Sequence, residues 1–191
     1  SVELRTDFST AEHFLGAKLD LSRDLSQAIH EYAPDASLVA GGLEWTSRGI
    51  YRLPGKQLVE LNYRVCRRCG QYTESFGDVE PQCPTCGDVA AAAARKLIIP
   101  EFGFVAAPDP KRSGARPPRG AWGGATHVVK LSDVSRTRSF ELPGGTIKAF
   151  VGPRGRLISI ADGPSEHGYL ICRRCGWGTA LINFGGRRPT T

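Results

Sequence analysis

The sequence predicts a mostly β (α+β) fold, in which one N-terminal helix is followed by antiparallel hairpins. One segment has the spacing of an amphipathic helix, whereas apolar and polar residues alternate in several short segments. Glycine pairs that suit tight turns separate some of these short segments. With 191 residues, the chain is long enough for one core plus a small additional lobe.

The predicted helix covers Ser22 to Ala33. Leu25, Ala28, Ile29 and Tyr32 fall on one face of it, and Ser22 is the candidate N-cap. Pro34 is expected to end the helix, because proline cannot donate the next backbone hydrogen bond.

Strand signals dominate the rest of the chain. Gly41 and Gly42 join two apolar runs and predict a two-residue hairpin. Residues 59–65 alternate between apolar and polar, which predicts a half-buried strand. Further on, the segments TIKAFV and RLISIA are expected to pair as a hairpin through residues 152–155.

Four cysteines have the spacing C-x2-C, thirteen residues, C-x2-C; they are Cys66, Cys69, Cys83 and Cys86. Two such pairs, joined by a short hairpin, can place four thiolates around one Zn²⁺. A glycine follows each pair, which suits a backbone that turns its amides toward the sulfurs. The spacing therefore predicts a zinc ribbon with Zn²⁺ as the cofactor, and a disulfide or unligated pairs are the alternatives.

A third pair, Cys172 and Cys175, lies in ICRRCG and nearly repeats VCRRCG around the first pair. Six thiolates are too many for one tetrahedral site and too few for two, unless His127 or His167 joins. We favour one zinc on the first four cysteines. The third pair could instead replace one of the earlier pairs, form a second site or act as a redox pair.

Composition points toward phosphate or acidic partners. The net charge is +6, and 19 of the 25 basic residues are arginine, whose guanidinium group binds phosphate oxygens in a fork. No apolar stretch is long enough for a membrane span, and the use of cysteine for metal suggests a cytoplasmic protein. The chain also has no grouping typical of a catalytic site, so we expect no enzyme activity in it.

Residues 108–124 are rich in proline, glycine and basic residues and are predicted to form an extended, mobile loop. Its candidate nucleic-acid contacts are four basic residues and one tryptophan: Lys111, Arg112, Arg116, Arg119 and Trp122. The alternative is a surface connector, since linkers have the same composition.

These signals divide the chain into four segments. They are an N-terminal segment with the helix (1–36), a hairpin and zinc-ribbon lobe (37–107), the basic loop (108–124), and a second β segment with the third cysteine pair (125–191). Because the chain has no methionine and begins at Ser1, we expect it to be a piece of a longer protein.

Several segments occur in a recognisable order: IHEYAPDASLVAGGLEWTSRG, NYRVCRRCG, CPTCGD, LIIPEFGF and GYLICRRCGW. In this order they resemble the cysteine-rich zinc-binding accessory domain of some DEAD/DEAH-box helicases. The same domain occurs in the helicase-partner protein of the DISARM phage-defence system. The resemblance implies a zinc-binding module that works with a helicase core in cis, or a helicase subunit in trans, on DNA.

Two functions of different kinds are therefore expected. The first is a nucleic-acid-binding module that supports a helicase in phage defence or DNA repair. The second is a protein-docking scaffold that contacts a partner subunit without touching nucleic acid. A steep dependence of DNA binding on salt would favour the first.

Overall fold

The computed structural model describes residues 1–7, 19–90, 93–114, 116–118, 120, 123–132, 136–151 and 154–181. Strands account for 46% of the structure and helix for 5%, which confirms the predicted mostly β fold with one helix and antiparallel hairpins. Among the described residues, no helix has the length and apolar character needed to cross a membrane.

The helix, α1, is Leu25–Glu31. The strands follow in chain order: β1 Val2–Arg5, β2 Ser22–Arg23, β3 Ser37–Ala40, β4 Leu43–Ile50, β5 Val59–Val65, β6 Tyr72–Ser75, β7 Arg95–Ile99, β8 Phe104–Ala106, β9 Lys111–Arg112, β10 Gly124–Ser132, β11 Arg136–Leu142, β12 Gly145–Val151, β13 Arg154–Ala161, β14 Tyr169–Ile171 and β15 Gly178–Ala180.

The chain forms two compact units. Unit 1 consists of Ser1–Val59, Ile98–Ala125 and Ile160–Thr191, and unit 2 consists of Glu60–Leu97 and Thr126–Ser159. Both units are therefore assembled from segments that are distant in the sequence.

Unit 1 is built on a sheet with the strand order β2-β1-β8-β4-β3, in which β9 also pairs with β4. Burial alternates along β4, because successive side chains of a strand point to opposite faces. Trp45 and Tyr32 are fully buried in the core beneath it, and the rings of Tyr32 and Phe104 pack in a T-shaped arrangement with centroids 6.1 Å apart.

The predicted turn at Gly41 and Gly42 is confirmed. Ala40 pairs with Leu43 across it, and both glycines have positive φ, at 60° and 77°. A two-residue hairpin with a type I′ turn needs this left-handed backbone at both central positions, and glycine adopts it without steric cost.

The helix begins later than predicted. Asp24 is its N-cap residue, while Ser22 belongs to β2 and pairs with Glu3. The proposed N-cap was wrong because the backbone of Ser22 pairs with Glu3 in the sheet, and the helix starts after it. The helix ends before Pro34, as expected.

Unit 2 contains the three-stranded sheet β6-β5-β7 and the paired strands β10-β13 and β11-β12. The strand predicted for residues 59–65 is confirmed as β5. The predicted pairing of TIKAFV with RLISIA is wrong, because β12 pairs with β11 across Pro143 and Gly144. RLISIA lies in β13, which pairs with β10.

Candidate metal centre

The four predicted ligands lie on two turns of unit 2. Cys66 follows directly after β5, and the chain turns through Cys69 before β6 begins at Tyr72. Cys83 and Cys86 lie on a second turn, which an isolated bridge between Gln82 and Val89 closes.

Both turns have the same backbone hydrogen bonds. The N–H of Cys66 donates to the carbonyl oxygen of Gln71 at 2.9 Å, and that of Gly70 donates to Cys66 at 2.8 Å. Cys83 and Gly87 repeat the pattern at 2.7 and 2.9 Å. Gly70 and Gly87 have φ of 73° and 71°, so glycine is needed at the position where each turn reverses.

The two turns bring the four thiols together. The sulfur–sulfur distance is 3.6 Å both for Cys66 and Cys86 and for Cys69 and Cys83. All four ligand atoms lie within 4.8 Å of one another, and the cysteines are unbonded thiols. A tetrahedron with metal–sulfur bonds of about 2.3 Å has edges of about 3.8 Å, so the cluster has the dimensions that a metal ion requires.

Gln71 connects the first turn to the rest of unit 2. Its side-chain amide donates to the carbonyl oxygen of Val129 at 2.7 Å, and its amide oxygen accepts a hydrogen bond from the Thr85 hydroxyl at 3.2 Å. Thr85 lies between Cys83 and Cys86, so one side chain ties the two cysteine turns together. Contacts of this kind orient metal ligands.

The thiols do not ionise alike. The backbone N–H of Cys86, helped by that of Thr85, lowers the pKa of the Cys83 thiol to about 6. At Cys69 the N–H of Gln71 also acts to lower the pKa, but burial and hydrogen bonds with the other three thiols raise it to about 12. Four negative charges this close cannot all form without a cation. Metal binding must therefore release protons, and metal affinity is expected to fall as the pH falls.

Cys172 and Cys175 have the same kind of turn in unit 1. The N–H of Cys172 donates to the carbonyl oxygen of Trp177 at 2.7 Å, and that of Gly176 donates to Cys172 at 2.8 Å. Among the described residues, the cluster of Cys66, Cys69, Cys83 and Cys86 is the one group of three or more potential ligands close enough for a metal, and this pair is not in it.

His127 does not join the cluster either. Its ring stacks on Tyr72 with centroids 6.4 Å apart, and Tyr72 stacks in turn on Tyr63 at 5.7 Å. The histidine is thus packed on an aromatic pair within unit 2.

The basic loop is described only in part. Lys111 and Arg112 form the short strand β9 against β4, and both are exposed. Arg116 is also exposed, whereas Arg119 and Trp122 lie outside the described residues. The arginines within the cysteine turns, Arg67, Arg68, Arg173 and Arg174, are all exposed.

Two residues that sequence reasoning missed have notable positions. Phe76 follows β6 and is 80% exposed, although an aromatic ring of that size is usually covered. Asp35 accepts hydrogen bonds from the Thr179 hydroxyl at 2.6 Å and the Ala180 N–H at 2.8 Å. Asp35 has φ of 71°, and no local sequence signal pairs it with residues 144 positions away.

Comparison with family models, curated proteins and solved structures finds no match to this chain. Structural support for a function therefore comes from the cysteine cluster and the exposed surfaces.

Proposed function

We propose that the chain is a zinc-binding accessory module of a DNA helicase system, in which the four-cysteine cluster holds one structural Zn²⁺. The observation that carries the metal part is the set of four thiols within 4.8 Å. Sulfur-only ligands favour zinc over magnesium or calcium. Because four protein ligands leave no position open for a substrate, the proposed role of the ion is structural.

The nucleic-acid part rests on charge and exposed rings. The sequence has a pI of about 9.2, and each cysteine turn with an R-R insert exposes both arginines. Exposed Phe76 in unit 2 and Trp177 in unit 1, which is 56% exposed, offer faces on which bases could stack. The helicase partner, in cis or in trans, and a role in phage defence or DNA repair rest on the sequence resemblance. The proposed location is the cytoplasm, where thiols stay reduced.

The alternative, a protein-docking scaffold, is favoured by one surface. Phe140, Leu142 and Ile147 are 49%, 51% and 55% exposed on the β11-β12 hairpin. Phe140 pairs with Ile147, and Leu142 is two residues along the same strand, so the three side chains share one face. An exposed apolar face of this kind is typical of contact with another protein.

Binding of single-stranded DNA, measured by fluorescence anisotropy over a salt series, separates the two functions. The test variant replaces Lys111, Arg112 and Arg116 with alanine. A matched control removes the same charge elsewhere, at Arg23, Lys56 and Lys96. If the loop contacts phosphate, the slope of log affinity against log salt should flatten by about two to three units in the test variant alone.

Stacking is tested in the same assay. Phe76→Ala, Trp122→Ala and Trp177→Ala are compared, and loss of a stacked base costs about 1–3 kcal/mol of binding. Weak DNA binding that none of these variants changes would contradict the nucleic-acid function. The docking alternative would then be tested by Phe140→Ser and Ile147→Ser in pull-downs with the helicase subunit.

A further inference from the structure

Cys172 and Cys175 have the local structure of a metal-binding turn without a complete set of ligands. The hydrogen bonds of Cys172 and Gly176 repeat those of the two turns in the four-cysteine cluster. Gly176 has φ of 80°, close to Gly70 and Gly87. Both thiols are exposed.

Neighbouring backbone of unit 1 holds this turn in place. The N–H of Ile50 donates to the carbonyl oxygen of Gly176 at 2.9 Å, and the guanidinium of Arg52 donates to that of Arg174 at 2.7 Å. A Cβ atom added at Gly176 would overlap the carbonyl oxygen of Ile50, which shows how closely the turn approaches β4. The two sulfurs are therefore presented by a rigid support, which reduces the ordering cost of binding.

The site needs ligands from outside the described chain segments. Two thiolates fill half of a tetrahedral zinc site. The described residues supply no third histidine, cysteine or carboxylate to this pair. All six cysteines of the sequence are accounted for by the cluster of four and this pair. Because the sequence has no other cysteine, a four-sulfur site on this pair takes its other two thiolates from another molecule.

We propose that Cys172 and Cys175 are a half-site for a thiophilic divalent metal, completed by the same two cysteines of a second copy of this chain. Two identical pairs related by a two-fold axis make a tetrahedral four-sulfur site, and two-fold symmetry is the usual symmetry of protein dimers. Each thiol that binds the metal releases its proton to solvent.

Charge and apolar surface support a second copy as the occupant. A zinc ion with four thiolates has a formal charge of about −2, which the exposed Arg173 and Arg174 of two copies would offset. Without metal, the same four arginines repel each other. Leu170 and Trp177, on the same β14-β15 hairpin, are 47% and 56% exposed and would be covered in the dimer.

Zinc titration of the full chain, followed by light scattering after size exclusion, tests the proposal. We expect a monomer at about one equivalent of zinc and a dimer as zinc approaches about 1.5 equivalents per chain. The variant Cys172→Ser/Cys175→Ser should bind about one equivalent and stay monomeric. Cobalt absorption should report the same two stoichiometries through the intensity of the thiolate-to-cobalt band. Circular dichroism checks that the variant is folded, and mixing it with wild-type chain should give no heterodimer.

Other outcomes would overturn the proposal. They are a wild-type chain that stays monomeric at all zinc concentrations, or one that binds two equivalents as a monomer. A dimer that reductant dissolves and chelator does not would show a disulfide instead. If the four-cysteine site is empty but half an equivalent of zinc still forms the dimer, this inference stands and the proposed structural zinc fails.

Discussion

The turn that begins at Cys66 and the turn that begins at Cys172 have the same backbone but different surroundings. Each cysteine N–H donates five residues ahead, at 2.9 and 2.7 Å, and each closing glycine has a positive φ. In unit 2 a second cysteine turn brings its thiols to the first. In unit 1 the turn instead packs against the backbone of β4.

The comparison shows that the C-x2-C-G sequence determines the shape of the turn, whereas long-range packing determines how many ligands it meets. An amide-lined turn forms at each of the three C-x2-C-G sequences of this chain. A metal site forms only where the fold supplies the remaining ligands. The variants below test whether the two turns differ in the way this comparison requires.

The largest expected effect comes from removing ligands of the cluster. Cys66→Ser or Cys83→Ser should reduce bound zinc to below half an equivalent and unfold unit 2, because a structural zinc contributes on the order of 10 kcal/mol to folding. Cys172→Ser is the control and should keep one equivalent. Elemental analysis of protein purified without added metal, together with thermal unfolding in the presence and absence of chelator, measures both. Unchanged stability of the cluster variants would contradict a structural role for the metal.

The second prediction compares Gly70 and Gly176, the glycines that end the two turns. Gly70→Ala meets no atom within 4 Å, so it should cost only the left-handed backbone penalty of about 1–2 kcal/mol. Gly176→Ala has the same backbone penalty, and its Cβ would also overlap the carbonyl oxygen of Ile50. The free energy of unfolding should therefore fall by more than about 3 kcal/mol. Chemical denaturation of both variants measures the difference. Equal costs would mean that the third turn is not held against β4.

The third effect concerns the link between the two turns of the cluster. Gln71→Ala removes the hydrogen bonds to Val129 and Thr85, and the loss of such a supporting contact costs about 10- to 100-fold in metal affinity. Asn62→Ala is a matched control, because it removes a side-chain hydrogen bond to the Gly77 carbonyl oxygen within the same unit. Competition with a chromogenic chelator gives the affinities. If both variants retain zinc equally, Gln71 has no special role.

The same difference between local and long-range contacts explains which parts of the structure could be predicted from the sequence. The cysteine spacing and the alternation in residues 59–65 are local signals, and they predicted the two turns and β5. The pairing of β11 with β12 was not predicted, because both Pro143-Gly144 and the stretch at 152–155 consist of turn residues, and the local sequence does not decide which strands pair. Serine is a common N-cap residue, but Ser22 pairs with Glu3 in the sheet, and this pairing sets its backbone conformation. The contact of Asp35 with Ala180 depends on tertiary packing alone.

The smallest expected effect concerns the arginines that the two turns share. Arg67→Glu/Arg68→Glu replaces two exposed positive charges beside a four-thiolate centre with two negative charges. Release of zinc to a chromogenic chelator should accelerate several-fold at low salt, because exposed charges interact only weakly with a neighbouring charged centre. The effect should shrink at about 1 M salt, where screening acts within about 3 Å.

Arg173→Glu/Arg174→Glu makes the same change beside Cys172 and Cys175, which are not in the cluster, and should leave the rate of zinc release from the monomer unchanged. Equal acceleration by both pairs would show a response to net charge, and no acceleration by either would show that the arginines are only solvated.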